Sequence, residues 1–498
     1  MDFPIFHLDM LGNRGLIAVI AILHVIINHG LAVGMMPLVA AMEWWGHKKQ
    51  DARWDRLAYR ILFFAFLITT TVGALTGVGI WFSTSLVNPY SIGSLIRVFF
   101  WGWFIEWLVF ISEVVLILAY FLTWKKWTGK KKARHIKLGF ALGFFSWVTM
   151  AIIVSILGFM MDPGNWLTDP SLWTGFTNPL YLPQLAFRTP LALANAGVIA
   201  MTLVLFFTQR EDPFRREALR ALGLFTMLAA PFVFIGGWWY WSVVPETMTE
   251  NLAVSLLTME FTSWHQTLIY GMAGTAFVVA LVAQLAVFRP QWMPRPLLIL
   301  VMLGMVWMTG HFERVREFIR KPYVIGQYMY ANGLRVQDYP LYQRDGILPW
   351  ATYSHPLNAA ERAAIPTGAD PQPYQDGKDV FMIACSRCHT GSGVNSVAGH
   401  FNRMFGDQPW TPELTAGYME FMHYAQAFMP PFPGNAQELQ DLSLYLSLAQ
   451  PDGLYASGAQ ADGVTARVTG ADVINAREAG AATDITSPGD AASQENQQ

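Results

Sequence analysis

The sequence predicts an all-α protein in which a polytopic membrane helix bundle of about eight spans, with both termini periplasmic, precedes a C-terminal α-helical domain. Hydrophobic residues make up 53% of the 498-residue chain and charged residues only 14%, whereas a soluble globular chain averages about 25% charged residues. The apolar residues are concentrated in eight long runs, and a polar portion follows the last of them. The chain is therefore predicted to be a membrane protein. Its net charge of -2 gives no reason to expect a nucleic-acid partner.

The number of spans follows from the length of the apolar runs. Crossing about 30 Å of hydrocarbon takes roughly 20 residues, and the runs that reach this length lie near 15–42, 57–83, 95–124, 138–161, 190–208, 219–243, 263–288 and 296–312. The residues before the first run include Asp2 and Asp9 and lack both a basic stretch and a small-residue cleavage site. We therefore expect the first run to be a retained span rather than a removed signal peptide.

The basic residues predict the orientation of these spans. Loops rich in Lys and Arg stay in the cytoplasm, and the loops after the first, third, fifth and seventh runs are basic throughout. Their cations are Lys48, Lys49, Arg53, Arg56, Lys125, Lys126, Lys130, Lys131, Lys132, Arg134, Lys137, Arg210, Arg215, Arg216, Arg220, Arg289 and Arg295. The alternate loops, near 84–94, 162–189 and 244–262, contain only Arg188. Both termini are therefore predicted to lie outside, with the protein in the bacterial inner membrane.

Composition divides the chain into four predicted parts. Residues 1–318 form the transmembrane domain, 319–368 a periplasmic connector, 369–450 a compact helical domain, and 451–498 a tail that is poor in large apolar residues and predicted to be disordered. A charged run from Glu313 to Tyr323 follows the last span on the predicted outer side. Such a run is usually a solvated helix end, but it breaks the positive-inside bias. It is therefore also a candidate for packing against a subunit or the rim of a quinone site.

The most specific motif is Cys385-Ser386-Arg387-Cys388-His389. Two thiols three positions apart, followed at once by an imidazole, form the attachment site of one covalent c-type haem, with the histidine as an iron ligand. Zinc is the alternative, but it needs further cysteine or clustered histidine ligands, and the chain has only these two cysteines. Haem c is attached on the outer side of energised membranes, which agrees with the orientation predicted from the basic loops.

The residues around this motif predict a small monohaem domain. A helix beginning near Tyr374 leads into the motif, a second has Thr411 as its N-cap, and a third begins with the capping box Asn435 to Glu438. Met429, stiffened by two following prolines, is the predicted second iron ligand. Its competitors are Met404, Met419, Met422, His400 and His423. The segment from Gln375 to Ala449 resembles class I cytochrome c, and this resemblance implies one-electron transfer through an exposed haem edge.

Ionisable residues inside the spans form a second candidate site. Placing such residues inside a membrane costs free energy, so they are taken to mark functional positions by default. The candidates are His24, His29, Glu106, Glu113 and His265. Histidines at this depth can ligate a haem b, and a carboxylate beside an imidazole can accept the protons of a quinol. The alternative is that these groups only hydrogen-bond across helices.

Several of these positions resemble subunit I of cytochrome bd quinol oxidase. The matching residues are Leu23-His24, Gly30, Gly34 and Met42-Glu43 in the first span, Gly73, Gly77 and Gly79 in the second, and Ile105-Glu106-Trp107-Leu108 with Glu113 in the third. The resemblance implies a bd-like scaffold in which His24 is a haem ligand and Glu106 and Glu113 are the carboxylates near the haems. The segment Gln184–Pro190 falls where the family has the histidine of its low-spin haem, and it contains no histidine. No counterpart of the family's quinol-binding loop is present either.

Together these features predict a membrane-bound respiratory electron-transfer subunit. It would exchange electrons between a membrane quinone or haem and a periplasmic haem c, with membrane lipid and a periplasmic carrier or other respiratory subunits as partners. Two alternatives stay open: a terminal oxygen reductase fed by its own cytochrome c domain, and a non-catalytic anchor that carries haem c alone.

Overall fold

The structure is a computed structural model that describes residues 6–257 and 265–450. In chain order, its helices are α1 (Asn13–Lys49), α2 (Ala52–Val87), α3 (Pro89–Val98), α4 (Phe100–Thr123), α5 (Lys132–Met161), α6 (Leu172–Phe176), α7 (Tyr181–Phe207), α8 (Pro213–Ser242), α9 (Glu246–Leu257), α10 (His265–Phe288), α11 (Arg295–Ile319), α12 (Tyr339–Asp345), α13 (Ala359–Ala364), α14 (Gln372–Ala384), α15 (Val397–Phe405), α16 (Pro412–Ala425) and α17 (Ala436–Ser447). A short antiparallel hairpin, β1 (Tyr323–Ile325) and β2 (Met329–Tyr330), follows α11. The predicted all-α class is confirmed.

Seven described helices are long and apolar enough to cross a membrane, namely α1, α2, α4, α5, α7, α8 and α11. The eighth predicted run, 263–288, begins outside the described residues, and the part of α10 with described side chains, Gly274–Phe288, is a shorter apolar helix. The predicted tail, 451–498, lies outside the described residues. The chain is therefore a multi-pass membrane protein with a helical C-terminal domain.

Two spans begin at positions other than those predicted. The run near 95–124 is divided at Phe99 into α3 and α4, and α7 begins at Tyr181 rather than near 190. The first turns of α7 contain Pro183, Gln184 and Arg188, which are unusual in a helix that faces lipid. Gln184 and Arg188 do not face lipid, because they are buried inside the bundle. Polar side chains that pair inside the protein extend a membrane helix without reaching lipid.

The four basic loops lie together at one end of the bundle, here called the basic-loop end. An ion pair between Lys49 and Glu217 joins the first loop to the third. A hydrogen bond from Arg215 to the carbonyl oxygen of Met293 joins the third loop to the fourth. The second loop joins them through Lys132, whose ammonium pairs with Asp55. The C-terminal domain sits at the opposite end, here called the cytochrome end. This separation is the one predicted from alternating loop charge.

The C-terminal domain is built on the crossing of α14 and α17. A Cβ on Gly377 would lie 1.9 Å from the carbonyl oxygen of Asp441, so the two helices cross at a distance that only glycine permits. The predicted N-caps are present: Thr411 accepts from the amide of Leu414, and Asn435 and Glu438 form a reciprocal capping box. α15 is a further helix that the sequence patterns did not indicate.

Candidate functional site

The Cys385–His389 motif forms a tight turn at the end of α14. The amides of Cys388 and His389 both donate to the carbonyl oxygen of Cys385, at 3.0 Å. The two residues between the cysteines are held back on α14, since Ser386 Oγ donates to the Met382 carbonyl and Arg387 Nη1 to the Ile383 carbonyl, each at 2.6 Å. Both cysteines are free thiols and half-buried. The turn therefore presents two sulfurs and an imidazole with the intervening side chains turned away.

His389 is oriented by the backbone of the following loop. Its Nδ1–H donates to the carbonyl oxygen of Asn395 at 3.1 Å, because a carbonyl can only accept. Asn395 adopts a left-handed conformation with φ 55°, which asparagine tolerates better than most residues. Burial lowers the pKa of His389 to about 4, so its imidazole is neutral at pH 7. A neutral ring fixed through Nδ1 leaves Nε2 for a metal, which is the usual arrangement of a ligating histidine.

The domain core also fits a bound porphyrin. Trp410 is fully buried, and its indole Nε1–H has no hydrogen-bond partner among the described residues. A buried donor without an acceptor is costly, and a carboxylate carried by a bound group would satisfy it. The two cysteine sulfurs and the His389 imidazole are the groups that a covalent haem requires, and the unpartnered Trp410 N–H fits a carboxylate of such a group.

Met429 lies in a loop whose position is set by a histidine. His423 Nδ1–H donates to the carbonyl oxygen of Met429 at 2.6 Å. Three of the other competitors are less suited: Met404 is 45% exposed, Met419 is buried in the hydrophobic core, and His400 donates through Nε2 to Asn395 Oδ1 at 2.9 Å. Met422 is partly buried against the same core. Met429 therefore stays the predicted second iron ligand, and His423 holds its backbone.

Met429→Ala is expected to abolish the absorption band of methionine-ligated ferric haem while the covalent haem stays attached, because the thioethers form at the cysteines and not at Met429. The check is a visible and near-infrared spectrum of purified protein. Met404→Ala is the matched control and should keep the wild-type spectrum. A Met429→Ala protein that keeps a methionine-ligated spectrum contradicts the assignment.

The two loops that carry the predicted iron ligands contact the membrane domain at the cytochrome end, one at the segment before α1 and the other at α11. On the His389 side, the amide of Val394 donates to the carbonyl oxygen of Met10, which precedes α1, at 2.9 Å. On the Met429 side, the ring of Phe428 packs against that of Phe318 in α11, with centroids 5.3 Å apart. The predicted haem site therefore lies on the membrane bundle and not at the far surface of the C-terminal domain.

His24 lies beside a π-helical turn in each of two helices. π-Helical turns interrupt α1 at Asn28–Val33 and α2 at Thr69–Gly73, and such turns are frequent at functional sites. His24 Nδ1–H donates to the carbonyl oxygen of Gly73 at 3.2 Å and lies 3.2 Å from Thr76 Oγ1. A Cβ on Gly77 would lie 3.2 Å from the His24 ring, so glycine leaves room there. His24 Nε2 has no hydrogen-bond partner in the described part of the chain.

The carboxylates of α4 lie two turns apart. Glu113 accepts hydrogen bonds from Ser146 Oγ at 2.5 Å and from Thr149 Oγ1 at 3.4 Å, both on α5. Glu106 is half-buried and accepts no hydrogen bond from the residues described. Within the same residues, no hydrogen bond or ion pair joins His24 to either carboxylate. The structure thus separates the predicted membrane site into a histidine between α1 and α2 and a carboxylate pair on α4.

His29 belongs to a buried ion network instead. Its Nδ1–H donates to the Val25 carbonyl at 3.0 Å, and its Nε2 accepts from Arg188 Nη1 at 3.3 Å. Arg188 Nη2 also donates to Glu313 at 2.6 Å, and Arg316 Nε donates to the same carboxylate at 2.8 Å. Arg188 and Glu313 are 2% and 7% exposed. The lone Arg188 of the outer loops and the charged run at Glu313 are therefore partners inside the bundle.

A second network lies at the basic-loop end and was not singled out from the sequence. The fully buried Glu43 of α1 accepts from Tyr120 OH at 2.7 Å, from Lys132 Nζ at 2.6 Å and from His135 Nδ1 at 2.5 Å. His135 Nε2 lies 2.9 Å from the carbonyl oxygen of Tyr120. This network ties α1, α4 and α5 together around one carboxylate.

Comparison with known proteins gives two family matches. Residues 13–270, more than half of the chain, match the cytochrome bd terminal oxidase subunit I family. The chain belongs to this family. Residues 372–446 match a second family, cytochrome c oxidase, cbb3-type, subunit III. The protein is thus a bd-type subunit I domain joined to a C-terminal cytochrome c domain.

A solved structure agrees on the fold. The bd oxidase from Geobacillus thermodenitrificans superposes with a TM-score of 0.53 at 18% sequence identity, covering 64% of this chain and 88% of that one. This likeness concerns the fold alone. No curated protein matches the chain.

Within the bd-type domain, the described histidines differ in their fitness for haem. His24 fits, because its ring is fixed through Nδ1 and its Nε2 faces no partner. His29 does not fit, because both of its ring nitrogens are already bonded. A low-spin haem does not fit at the start of α7 either, since Arg188 there is committed to Glu313 and His29. His265, the remaining predicted residue, has a side chain outside the described residues.

Proposed function

We propose that this bd-type chain passes electrons between a quinol site in its membrane domain and one covalent haem c at its cytochrome end, facing the periplasm. Cys385 and Cys388 would hold the haem, and His389 and Met429 would ligate its iron. The observation that carries the proposal is that both ligand loops rest on the membrane bundle, through Val394 on Met10 and Phe428 on Phe318. A haem placed there exchanges electrons with the membrane domain of its own chain.

The residues of the membrane domain would handle the protons. A quinol that is oxidised releases two electrons and two protons, and haem c takes up one electron at a time. Each quinol would therefore supply two one-electron transfers, and a periplasmic carrier or respiratory partner would have to oxidise haem c between them. Glu106, which accepts no hydrogen bond among the described residues, would receive a quinol proton, and Glu113, which accepts from Ser146 and Thr149, would be the next acceptor.

Membership of the bd family favours a second candidate, a terminal oxygen reductase fed by the cytochrome c domain. Its specific support is His24, whose Nε2 is left for a membrane haem. The ion network of Arg188 counts against it, because a low-spin haem has no ligand there.

The deciding experiment combines haem counting with anaerobic quinol reduction of the purified full-length protein. Acid–acetone extraction separates covalent from extractable haem, and reduced-minus-oxidised spectra count both. We expect one covalent haem per chain that a ubiquinol or menaquinol analogue reduces without oxygen. A covalent haem that dithionite reduces and neither quinol reduces contradicts the quinol role. Extractable haem that binds carbon monoxide, together with oxygen consumption, would support the oxygen reductase.

A further inference from the structure

Positive charge accumulates where the haem attachment turn meets the membrane bundle. The junction cluster, as we call it, consists of Arg14, Arg320, Lys321 and Arg387. Three of these are nearly inaccessible: Arg320 is 5%, Lys321 8% and Arg387 3% exposed. They come from separate parts of the chain, namely the start of α1, the end of α11 and the haem motif.

One carboxylate, Glu317, is shared by three members of the junction cluster, Arg14, Arg320 and Lys321. Glu317 pairs with Arg320 and lies 3.5 Å from Lys321, and Arg14 acts on the same carboxylate electrostatically. No ion pair joins Arg14 or Arg387 to a carboxylate anywhere in the described residues. Among the described residues, the protein therefore supplies more cations than carboxylates around the buried Arg320, Lys321 and Arg387, where charges interact strongly.

Arg387 is the member of the junction cluster that lies within the haem attachment motif. It precedes Cys388 and is enclosed by Asn88 at the start of α3 and by the connector loop at Gly333. A Cβ on Gly333, whose φ is +85°, would lie 2.5 Å from Asn88 Oδ1 and 3.5 Å from Arg387 Nε. Arg387 Nε is buried without a hydrogen-bond partner among the described residues. The guanidinium is therefore buried beside the attachment site, held by the Ile383 carbonyl, and no carboxylate of the described residues pairs with it.

The other cations reach the same site from the membrane side. Lys321 lies within electrostatic range of the Cys388 sulfur, and Arg14 within range of the His389 imidazole. The hairpin that follows α11 is held by Arg320, whose Nη1 donates to the Val324 carbonyl at 2.7 Å. The position of the cluster relative to His389 is therefore set by the packing of the C-terminal domain on the bundle.

We infer that the junction cluster raises the reduction potential of haem c and so makes it the electron acceptor of the membrane domain. Reducing haem iron adds one negative charge to the site, and fixed buried cations stabilise that charge more than the oxidised state. Arg387 and Lys321 act in this as tuning residues, since they are not iron ligands. The inference rests on the proposed haem c site but not on the identity of the quinol.

The test is a mediated spectroelectrochemical titration of haem c in the full-length protein. Arg387→Gln and Lys321→Met should each shift the redox equilibrium about tenfold toward oxidised haem, which is ~59 mV for a one-electron couple. Arg387→Lys, which keeps the charge, should retain the wild-type potential. Arg344→Gln is the matched control, because its side chain is 71% exposed and pairs with Asp345 at the surface.

Two results would overturn the inference: unchanged potentials in both neutral variants, or an equal fall in Arg387→Lys and Arg387→Gln, which would point to packing instead of charge. If Arg387→Gln does not acquire covalent haem, Lys321→Met still tests the inference, because Lys321 lies outside the attachment motif. The titration uses mediators and no quinol. A failure of the quinol reaction therefore remains distinguishable from a failure of this inference.

Discussion

Glu313→Gln is expected to lower the free energy of unfolding by about 3–5 kcal/mol, the usual loss when one partner of a buried ion pair is removed. Glu313 accepts from Arg188 at 2.6 Å and from Arg316 at 2.8 Å inside the membrane bundle. Glutamine keeps the shape but leaves two guanidinium groups without a counter-charge. Denaturation of the detergent-solubilised protein, followed by circular dichroism, measures the loss.

Asp345→Asn is the control for this prediction, because Asp345 pairs with Arg344 at the surface and such pairs contribute little. The double variant Arg188→Met, Glu313→Gln should recover part of the loss, since it removes a cation together with its partner. A Glu313→Gln protein as stable as the Asp345→Asn control would contradict the view that this pair holds α7 and α11 together.

Glu106→Gln is expected to slow quinol-dependent reduction of haem c by about 10²-fold or more, because a positioned proton acceptor contributes roughly 10²–10⁴ in rate. The amide occupies the same space but cannot accept a proton. Stopped-flow mixing of quinol with the oxidised protein measures the rate, and dithionite reduction checks that the haem is intact. Glu420→Gln, at an exposed position of α16, should react like the wild type. Equal rates in Glu106→Gln and the wild type would remove Glu106 from the proton path.

Local signals carried most of the successful sequence predictions. The Cys385–His389 motif, the Thr411 N-cap and the Asn435–Glu438 capping box involve residues within a few positions of one another. Their geometry follows from helix and turn conformation alone. The span count and the loop orientation also follow from composition, because a membrane helix has a fixed length and basic loops collect on one side.

Predictions that required a partner far along the chain were incomplete. Arg188 and Glu313 are 125 positions apart. The sequence marks each as an exception to the charge pattern and predicts packing for the run at Glu313, but it does not indicate that they are partners. His24 and Glu106 are predicted to lie at a similar depth, yet His24 bonds α2, and no hydrogen bond or ion pair joins it to Glu106 among the described residues. The two π-helical turns gave no sequence signal, since their residues also suit an ordinary helix.

The sequence by itself determined the class of the protein, its membrane spans, the haem attachment motif and the bd-type membrane domain, because each of these depends on spacing or composition within a short window. Only the tertiary structure decided that His29 is committed to Arg188, that the loops of His389 and Met429 contact the membrane domain, and that Lys321 lies close to the Cys385–His389 motif. Those features depend on which helix faces meet. Helix faces meet through packing of side chains from distant segments, which no local pattern records.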